Sequence, residues 1–342
     1  MPCSLGQGLA VSGNPLYRVP IMSTTHSLPV IDIAPLRGTD LAARQAVARA
    51  LGEACRTIGF FYITGHGIAP ATVAASFAAA RQFFAQPLEQ KRALSITRSP
   101  HNRGYVAFEG ERLDETQPGD LKEAFNIGLD LAADHPEVVA GRPFRGVNLW
   151  PDLPGWRATI LDYFDATWAV GRLLHRGFAL DLGAPEDFFE DKFDAPLATL
   201  RLLHYPGGQV PHQAGQIGAG EHTDYGNVTV LATDGVAGLQ VRARDGRWLD
   251  APTIAGAFVC NIGDCLMRWT NDVYVSTPHR VMPPAADRYS IAFFLDPNPD
   301  AVVAVLPSCA SADRPARYPE TTGAAYLKMR LDATYDHRQP PP

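Results

Sequence analysis

Apolar positions recur along this chain at two spacings, and the change falls near residue 199. Before it the spacing is mainly helical. Asp40 is placed to cap a helix running to about Ile58, with Leu41, Val47, Leu51, Ala54 and Cys55 on one face and Gly59 as the stop. Pro70 suits a second helix start, and residues 72–84 put Val73, Phe77 and Phe84 on a stripe. Pro87 opens a short third helix. The longest helical pattern covers residues 155–182, where Ile160, Tyr163, Phe164, Trp168, Leu173, Leu174 and Phe178 mark a core-packing face and Gly183-Ala184-Pro185 ends it. Three β-rich runs interrupt this half, at residues 28–33, 59–64 and 123–127, while residues 97–120 read as a long loop and 131–154 as irregular. Long loops in compact domains tend to be lids or binding loops.

From residue 199 to 306 short β-rich runs alternate with Gly, Pro, Asp and Asn, at 199–205, 227–232, 239–242, 258–262, 290–295 and 302–306. Turn signals about every ten residues are the pattern of a sandwich or barrel. A last helix, about 322–335, precedes a proline tail. Helices early and strands late predict an α+β fold with a helical layer on a double-sheet β core. The early strands near residues 30, 62 and 125 must then join the later sheet. That predicts one domain over 28–336, with a helical part at 28–198 and a β core mainly at 199–306. Residues 1–27 read as a flexible tail, and Met22 is a candidate alternative start that would leave residues 1–21 outside the protein.

Composition narrows the class. With 46% hydrophobic and 19% charged residues the chain reads as soluble and globular. A net charge of −6 provides no electrostatic footprint for nucleic acid or an anionic membrane, so neither is an expected partner. No run approaches the ~20 apolar residues of a membrane span, and the first 26 residues lack the charged start and apolar block of a signal peptide. The five cysteines, Cys3, Cys55, Cys260, Cys265 and Cys309, are odd in number and scattered, which argues against a disulfide framework and fits a reducing cytoplasm.

The chemistry concentrates in Glu221-His222-Thr223-Asp224-Tyr225-Gly226. If this stretch begins a strand, His222 and Asp224 point to the same face. A third histidine, His279, follows in the later β-rich half. Two histidines and a carboxylate can hold one face of a ferrous ion and leave other positions open. Alone, His-x-Asp is a weak motif compatible with several metals, although a closed zinc site would want four protein ligands. Arg288 and Ser290 sharpen it: two residues apart on a β-rich run, they offer a forked cation and a hydroxyl on one face, a clamp for a carboxylate.

The chain resembles the iron(II)- and 2-oxoglutarate-dependent oxygenases of the isopenicillin N synthase-like family. The matching pieces run in order: Pro29-Val-Ile-Asp-Ile33, Gly59-Phe-Phe-Tyr-Ile-Thr-Gly-His-Gly67, Gly218-Ala-Gly-Glu-His-Thr-Asp-Tyr-Gly226, Asn261-Ile-Gly-Asp264, Trp269-Thr-Asn271, Ser276-Thr-Pro-His-Arg-Val281 and Arg288-Tyr-Ser-Ile-Ala-Phe-Phe294. The resemblance implies a double-stranded β-helix (jelly-roll) core. It implies His222, Asp224 and His279 as iron ligands, and Arg288, Ser290 and Tyr205 around the distal carboxylate of 2-oxoglutarate. Leu203 stands where many plant members carry an asparagine, which removes one polar contact. The implied reaction consumes O2 and 2-oxoglutarate, releases succinate and CO2, and hydroxylates, desaturates or cyclises a small molecule. The carboxylate of Asp224 argues against halogenation. Candidate substrate contacts are Arg103, Tyr105, Phe108, Arg112, Phe125, Arg268, Asn271 and Tyr326, with Arg103 and Arg268 suited to an anionic substrate. His66, in the Gly-His-Gly turn, reads as structural. Two other readings stand beside this one: an isopenicillin N synthase-like oxidase that needs no 2-oxoglutarate, and a non-catalytic small-ligand receptor on the same fold.

Overall fold

Alternation along the strands decides the architecture. The structure, a computed structural model, describes residues 27–114, 116–208 and 215–334. The expected tail, apart from residue 27, Cys3, Met22 and the end of the last helix at Tyr335 lie outside the described residues. In chain order the strands are β1 (Val30–Asp32), β2 (Phe60–Thr64), β3 (Gly104–Val106), β4 (Glu123–Gly128), β5 (Thr199–Tyr205), β6 (Ala219–His222), β7 (Val228–Thr233), β8 (Leu239–Arg242), β9 (Trp248–Asp250), β10 (Phe258–Ile262), β11 (His279–Val281), β12 (Arg288–Leu295), β13 (Val302–Val303) and β14 (Thr321–Thr322). The helices are α1 (Leu41–Thr57), α2 (Pro70–Phe84), α3 (Leu88–Ala93), α4 (Pro136–Val139), α5 (Trp156–Asp181), α6 (Asp264–Trp269) and α7 (Gly323–Thr334).

The major sheet runs β1-β2-β10-β7-β12-β5-β4-β3 and the minor sheet β6-β11-β8-β9. Ile291, Phe293 and Leu295 of β12 point to one face of the major sheet, with Leu200, Leu202, Val228, Val230, Phe61 and Ile63. This face packs on α1, α2 and α5, whose buried positions include Leu51, Phe83, Ile160, Phe164 and Phe178. The opposite face carries Leu203, Tyr205, Val259 and Ala292, which meet Ala219, Leu239, Val241 and Val281 of the minor sheet. Because side chains alternate across a strand, each central strand feeds both layers, which is why these segments read as nearly continuous apolar runs. The result is the expected α+β jelly roll. The early strands β1 to β4 lie in the same sheet as β5, β7, β10 and β12.

The helix starts and stops follow from named residues. The Asp40 carboxylate accepts from the backbone N–H of Ala42 and Ala43. Gly59 closes the turn into β2 at φ +67, where an added Cβ would sit 2.1 Å from the Val275 carbonyl oxygen. Trp156, at the start of α5, donates its indole N–H to the Ala79 carbonyl at 2.9 Å and so ties α5 to α2.

Several expectations change. Leu41 is exposed, because the capped first turn of α1 faces solvent. The long loop contains β3 at the sheet edge, where Tyr105 pairs with Phe125. The irregular stretch contains the single turn α4. The run at 302–306 forms only the short β13, paired with β14 outside the two main sheets. The stretch at 221–225 does not begin a strand: β6 ends at His222, and Thr223 to Gly226 turn away. Among the described residues no helix is long and apolar enough to cross a membrane, and Cys55, Cys260, Cys265 and Cys309 are all free and buried.

One core histidine yields a prediction. His175 of α5 is fully enclosed; its Nδ1 lies 2.8 Å from the Gly171 carbonyl and its Nε2 3.2 Å from the Asn227 amide nitrogen. Burial lowers its pKa from 6.5 to about 4, with the Gly171 contact opposing. The unfolded chain therefore takes up a proton between pH 6.5 and about 4 that the folded chain refuses, and stability falls as pH falls through that window. His175→Gln should flatten the stability difference between pH 7 and pH 4 by up to ~3 kcal/mol, read from urea melts. An unchanged slope would mean the ring is not held neutral.

Candidate active site

The cavity lies between the two sheets, and the residues that line it come from the inward positions of β5, β7, β10, β11 and β12. His222 and His279 are brought together by backbone pairing, not by proximity in the chain: they are register partners of antiparallel β6 and β11. Between this pair and the next, Ala219 with Val281, the register shifts, and bulges of this kind re-aim side chains beside sites. The two rings lie 4.2 Å apart between centroids. Asp224, in the turn after β6, reaches back so that its Oδ1 is 3.8 Å from His222 Nε2 and 3.7 Å from His279 Nε2. One ligand atom from each of the three lies within 4.8 Å of the others.

The surrounding hydrogen bonds set what these atoms offer. His222 Nδ1 is 2.8 Å from the Gly220 carbonyl and His279 Nδ1 is 3.2 Å from the Thr277 carbonyl. Each Nδ1 must carry the proton to donate to a carbonyl, which leaves each Nε2 a lone pair directed at Asp224 Oδ1. Burial, then the neighbouring His279, lowers His222 to about 3, so it is a neutral donor at physiological pH. Burial pushes the Asp224 carboxyl up, but the two imidazoles and the hydrogen bonds from Asn261 and Thr229 outweigh it and hold the group below its usual range. Its Oδ2 accepts from Thr229 Oγ1 at 2.5 Å and Asn261 Nδ2 at 2.7 Å, so Oδ1 alone faces the histidines. Three lone pairs with no proton among them fit a divalent cation.

Thr229 and Asn261 were not among the predicted site residues. The signal was present, since both occupy inward positions of β7 and β10. Outer partners of a metal ligand typically contribute 10–100-fold to affinity. Asn261→Ala should therefore weaken Fe(II) binding by roughly that factor in an anaerobic titration. Wild-type affinity in the variant would show that Thr229 alone orients the carboxylate.

Arg288 and Ser290 occupy alternate inward positions of β12 and are both buried. The Arg288 guanidinium lies 4.8 Å from the centre of the Tyr205 ring, donates from Nε to the Val236 carbonyl at 3.3 Å and sits 3.4 Å from Ser290 Oγ. Tyr205 is its register partner on β5. Among the described residues no carboxylate pairs with Arg288. A buried cation without an anion is costly, and a carboxylate ligand arriving at this end of the cavity would complete it. Leu203 lines the same wall as an apolar contact.

The predicted substrate contacts fare differently. Arg103 lines the cavity; the other seven do not. Tyr105 and Phe125 belong to the helix-side core, where the Tyr105 hydroxyl donates to Glu123. Phe108 and Arg112 are exposed. Arg268 lies over the Tyr318 and Tyr326 rings and donates to the Pro319 carbonyl. Tyr326 is itself part of the main core. Asn271, at φ +53, donates to the carbonyls of Cys309 and Pro315 and accepts from the Arg317 N–H, a turn-holding role. His66 stacks on Phe258 at 4.2 Å and accepts from the Ile68 N–H.

A buried charged group missed by the sequence reading forms part of the wall. Glu111 receives Arg201 through two bonds, at 3.1 and 2.7 Å, and Lys122 at 2.9 Å. Lys122 also pairs with Asp120. Burial would lower Lys122, but Glu111 and Asp120 hold it above its usual range. Asp120 accepts from the Gly220 N–H at 3.0 Å, and the carbonyl of the same Gly220 orients His222. Position 201 could have been found from the period-2 pattern that also turns Leu203 and Tyr205 inward.

Comparison with known proteins agrees with this geometry. Residues 28–153 match the family model described as non-haem dioxygenase in morphine synthesis N-terminal, and residues 196–297 match the 2OG-Fe(II) oxygenase superfamily. The 2-oxoglutarate-Fe(II) type oxidoreductase hxnY of Emericella nidulans is 39% identical over 302 residues, covering 86% of each chain. A homoarginine-6-hydroxylase of Oryza sativa subsp. japonica is 37% identical over 297 residues, covering 83% of this chain and 89% of its own. A full-length Neurospora crassa protein solved with alpha-KG and thymine superposes with a TM-score of 0.79 at 33% identity, over 90% of this chain and 96% of its own.

Proposed function

This chain belongs to the 2OG-Fe(II) oxygenase superfamily, and from that premise we propose how its own residues divide the chemistry. It is an Fe(II)- and 2-oxoglutarate-dependent dioxygenase, an oxidoreductase that uses O2. In our reading His222 Nε2, His279 Nε2 and Asp224 Oδ1 hold the ferrous ion. The convergence of these three unprotonated atoms carries the assignment. Arg288, Ser290 and Tyr205 hold the distal carboxylate of 2-oxoglutarate, a role supported by the buried guanidinium, which pairs with no carboxylate among the described residues.

When bound, iron and 2-oxoglutarate supply the oxidising chemistry, in which the oxo acid becomes succinate and CO2 and the substrate is oxidised. The chain supplies placement. Asn261 and Thr229 fix which carboxylate oxygen faces the histidines. The backbone carbonyls of Gly220 and Thr277 fix the imidazole tautomers. Leu231, Ala292 and Phe294 line the cavity with apolar surface and keep water from the reacting atoms.

The substrate is a small molecule. Relatives include one named for homoarginine and one solved with thymine, both small and nitrogen-bearing, which supports a compact polar substrate. We assign residues 28–336 to one oxygenase domain, on the support that β1 to β4 share a sheet with the later strands. We assign the protein to the cytoplasm, on the support of its free buried thiols. Anaerobic addition of 2-oxoglutarate to the ferrous protein should raise a weak visible charge-transfer band, and O2 should then yield succinate. No band, or substrate oxidation that proceeds without 2-oxoglutarate, would favour the oxidase reading.

A further inference from the structure

Five alternate residues of one strand line the cavity: Arg288, Ser290, Ala292, Phe294 and, just past the strand end, Asp296. The proposed cosubstrate clamp stands at the first end of this row. The metal-facing carboxylate lies near its far end, because Thr229, which bonds Asp224, is the register partner of Phe294. Asp296 is two residues further on, about 7 Å beyond that level at ~3.3 Å per residue. It therefore lies on the side of the triad away from the clamp, where a substrate would be held.

Asp296 is buried and has no hydrogen-bond donor among the described residues. Gly226 leaves the space its carboxyl uses: a Cβ there would stand 2.8 Å from Oδ1. Among the described residues the charge that acts on it is Asp224, of the same sign. A buried carboxyl with no partner wants a donor from outside the protein.

A complementary group stands at the same end. Arg103 is buried, donates to the His101 and Phe144 carbonyls, pairs with no carboxylate among the described residues and leaves its Nε without a partner. Phe144 packs with Leu197, and the Leu197 N–H donates to the Pro297 carbonyl, beside Asp296. The charge that acts on Arg103 is Arg145, again of the same sign. Among the described residues the cavity thus holds, beyond the cosubstrate clamp, a carboxyl and a guanidinium that have no counter-charge.

We infer that the prime substrate is a small nitrogenous acid, its anionic group held by Arg103 and its protonated or N–H-bearing nitrogen held by Asp296. The inference rests on the oxygenase reading and adds the substrate class. Loss of either pole leaves a buried group unpaired, which is how a polar site rejects an analogue lacking one function.

The test uses the iron-loaded protein with 2-oxoglutarate, without O2, and reads the melting temperature against matched compounds. Proline, pipecolate and lysine carry both functions; cyclopentane- and cyclohexanecarboxylate lack nitrogen; piperidine lacks the acid. At least one nitrogenous acid should raise the melting temperature and, with O2, stimulate succinate release. Its matched single-function analogue should need at least about tenfold higher concentration. Asp296→Asn and Arg103→Gln should each weaken binding of that acid by at least about tenfold. Retention of the 2-oxoglutarate charge-transfer band in both variants shows that they fold. No response to any nitrogenous acid, equal binding of the nitrogen-free analogue, or an unaffected Asp296→Asn variant overturns the proposal. Absence of the band in the wild-type protein would instead overturn the oxygenase reading beneath it.

Discussion

His222→Ala and Asp224→Ala are each expected to abolish succinate formation, with losses of at least ~10³-fold, because a lost ligand must exceed the 10–100-fold that an outer partner contributes. The expectation follows from the geometry. Each of the three side chains contributes one atom, and those atoms lie within 4.8 Å of one another with both imidazole protons committed elsewhere. Deleting one leaves two donors, too few to hold the ion on one face. Iron content after anaerobic reconstitution should fall in parallel with succinate yield. Turnover near the wild-type rate, with iron retained, would sink the ligand assignment. In Asp224→Ala the Asn261 amide and Thr229 hydroxyl also lose their shared acceptor, so this variant should melt differently from His222→Ala even without metal.

Arg288→Ala is expected to raise the 2-oxoglutarate requirement steeply while leaving iron binding in place. Breaking one side of a buried charge pair costs about 2–5 kcal/mol, or roughly 30- to several-thousand-fold in the dissociation constant for the oxo acid. The cost arises only with ligand bound. In the free protein Arg288 is a buried guanidinium with a carbonyl, a hydroxyl and an aromatic face for company, and no anion among the described residues. The variant without ligand should therefore be no less stable than wild type beyond its lost packing. 2-Oxoglutarate should raise the melting temperature of wild type but not of Arg288→Ala. Arg288→Lys keeps the charge and loses the fork and the stacking on Tyr205, so an intermediate requirement is expected. An unchanged requirement in Arg288→Ala would remove this residue from the clamp.

Element types were legible where local chemistry decides them. The Asp40 cap, the Gly59 turn and the long stripe of α5 each follow from residues close in the chain. The jelly-roll strands were legible for a different reason: central strands covered on both faces carry apolar runs bounded by turns. What failed were short elements whose existence depends on a partner. Gly104 to Val106 form a strand only because β4 offers an edge, and the run at 302–306 shrinks to two residues because only β14 is there to pair with.

The site divides in the same way. His222, Asp224, His279, Arg288 and Ser290 could be named from spacing and motif. His222 and Asp224 converge by another route than alternation along a strand, because Asp224 reaches His222 through a turn. Seven of the eight candidate substrate contacts lie away from the lining of the cavity. Residue type says that an arginine or an aromatic can bind a ligand, but not which side of a sheet or which end of a loop it will occupy. Asp296, Asn261, Thr229 and the Glu111–Lys122–Arg201 group illustrate the converse, ordinary polar residues whose roles arise because strands distant in sequence stack their inward positions around one cavity. Residue types and their spacing along the chain settle the chemistry available: a metal-binding set, a carboxylate clamp and a sheet-rich scaffold. Which polar groups are left without a partner depends on the folded chain, because burial and neighbouring charge belong to the packed arrangement and not to any residue alone.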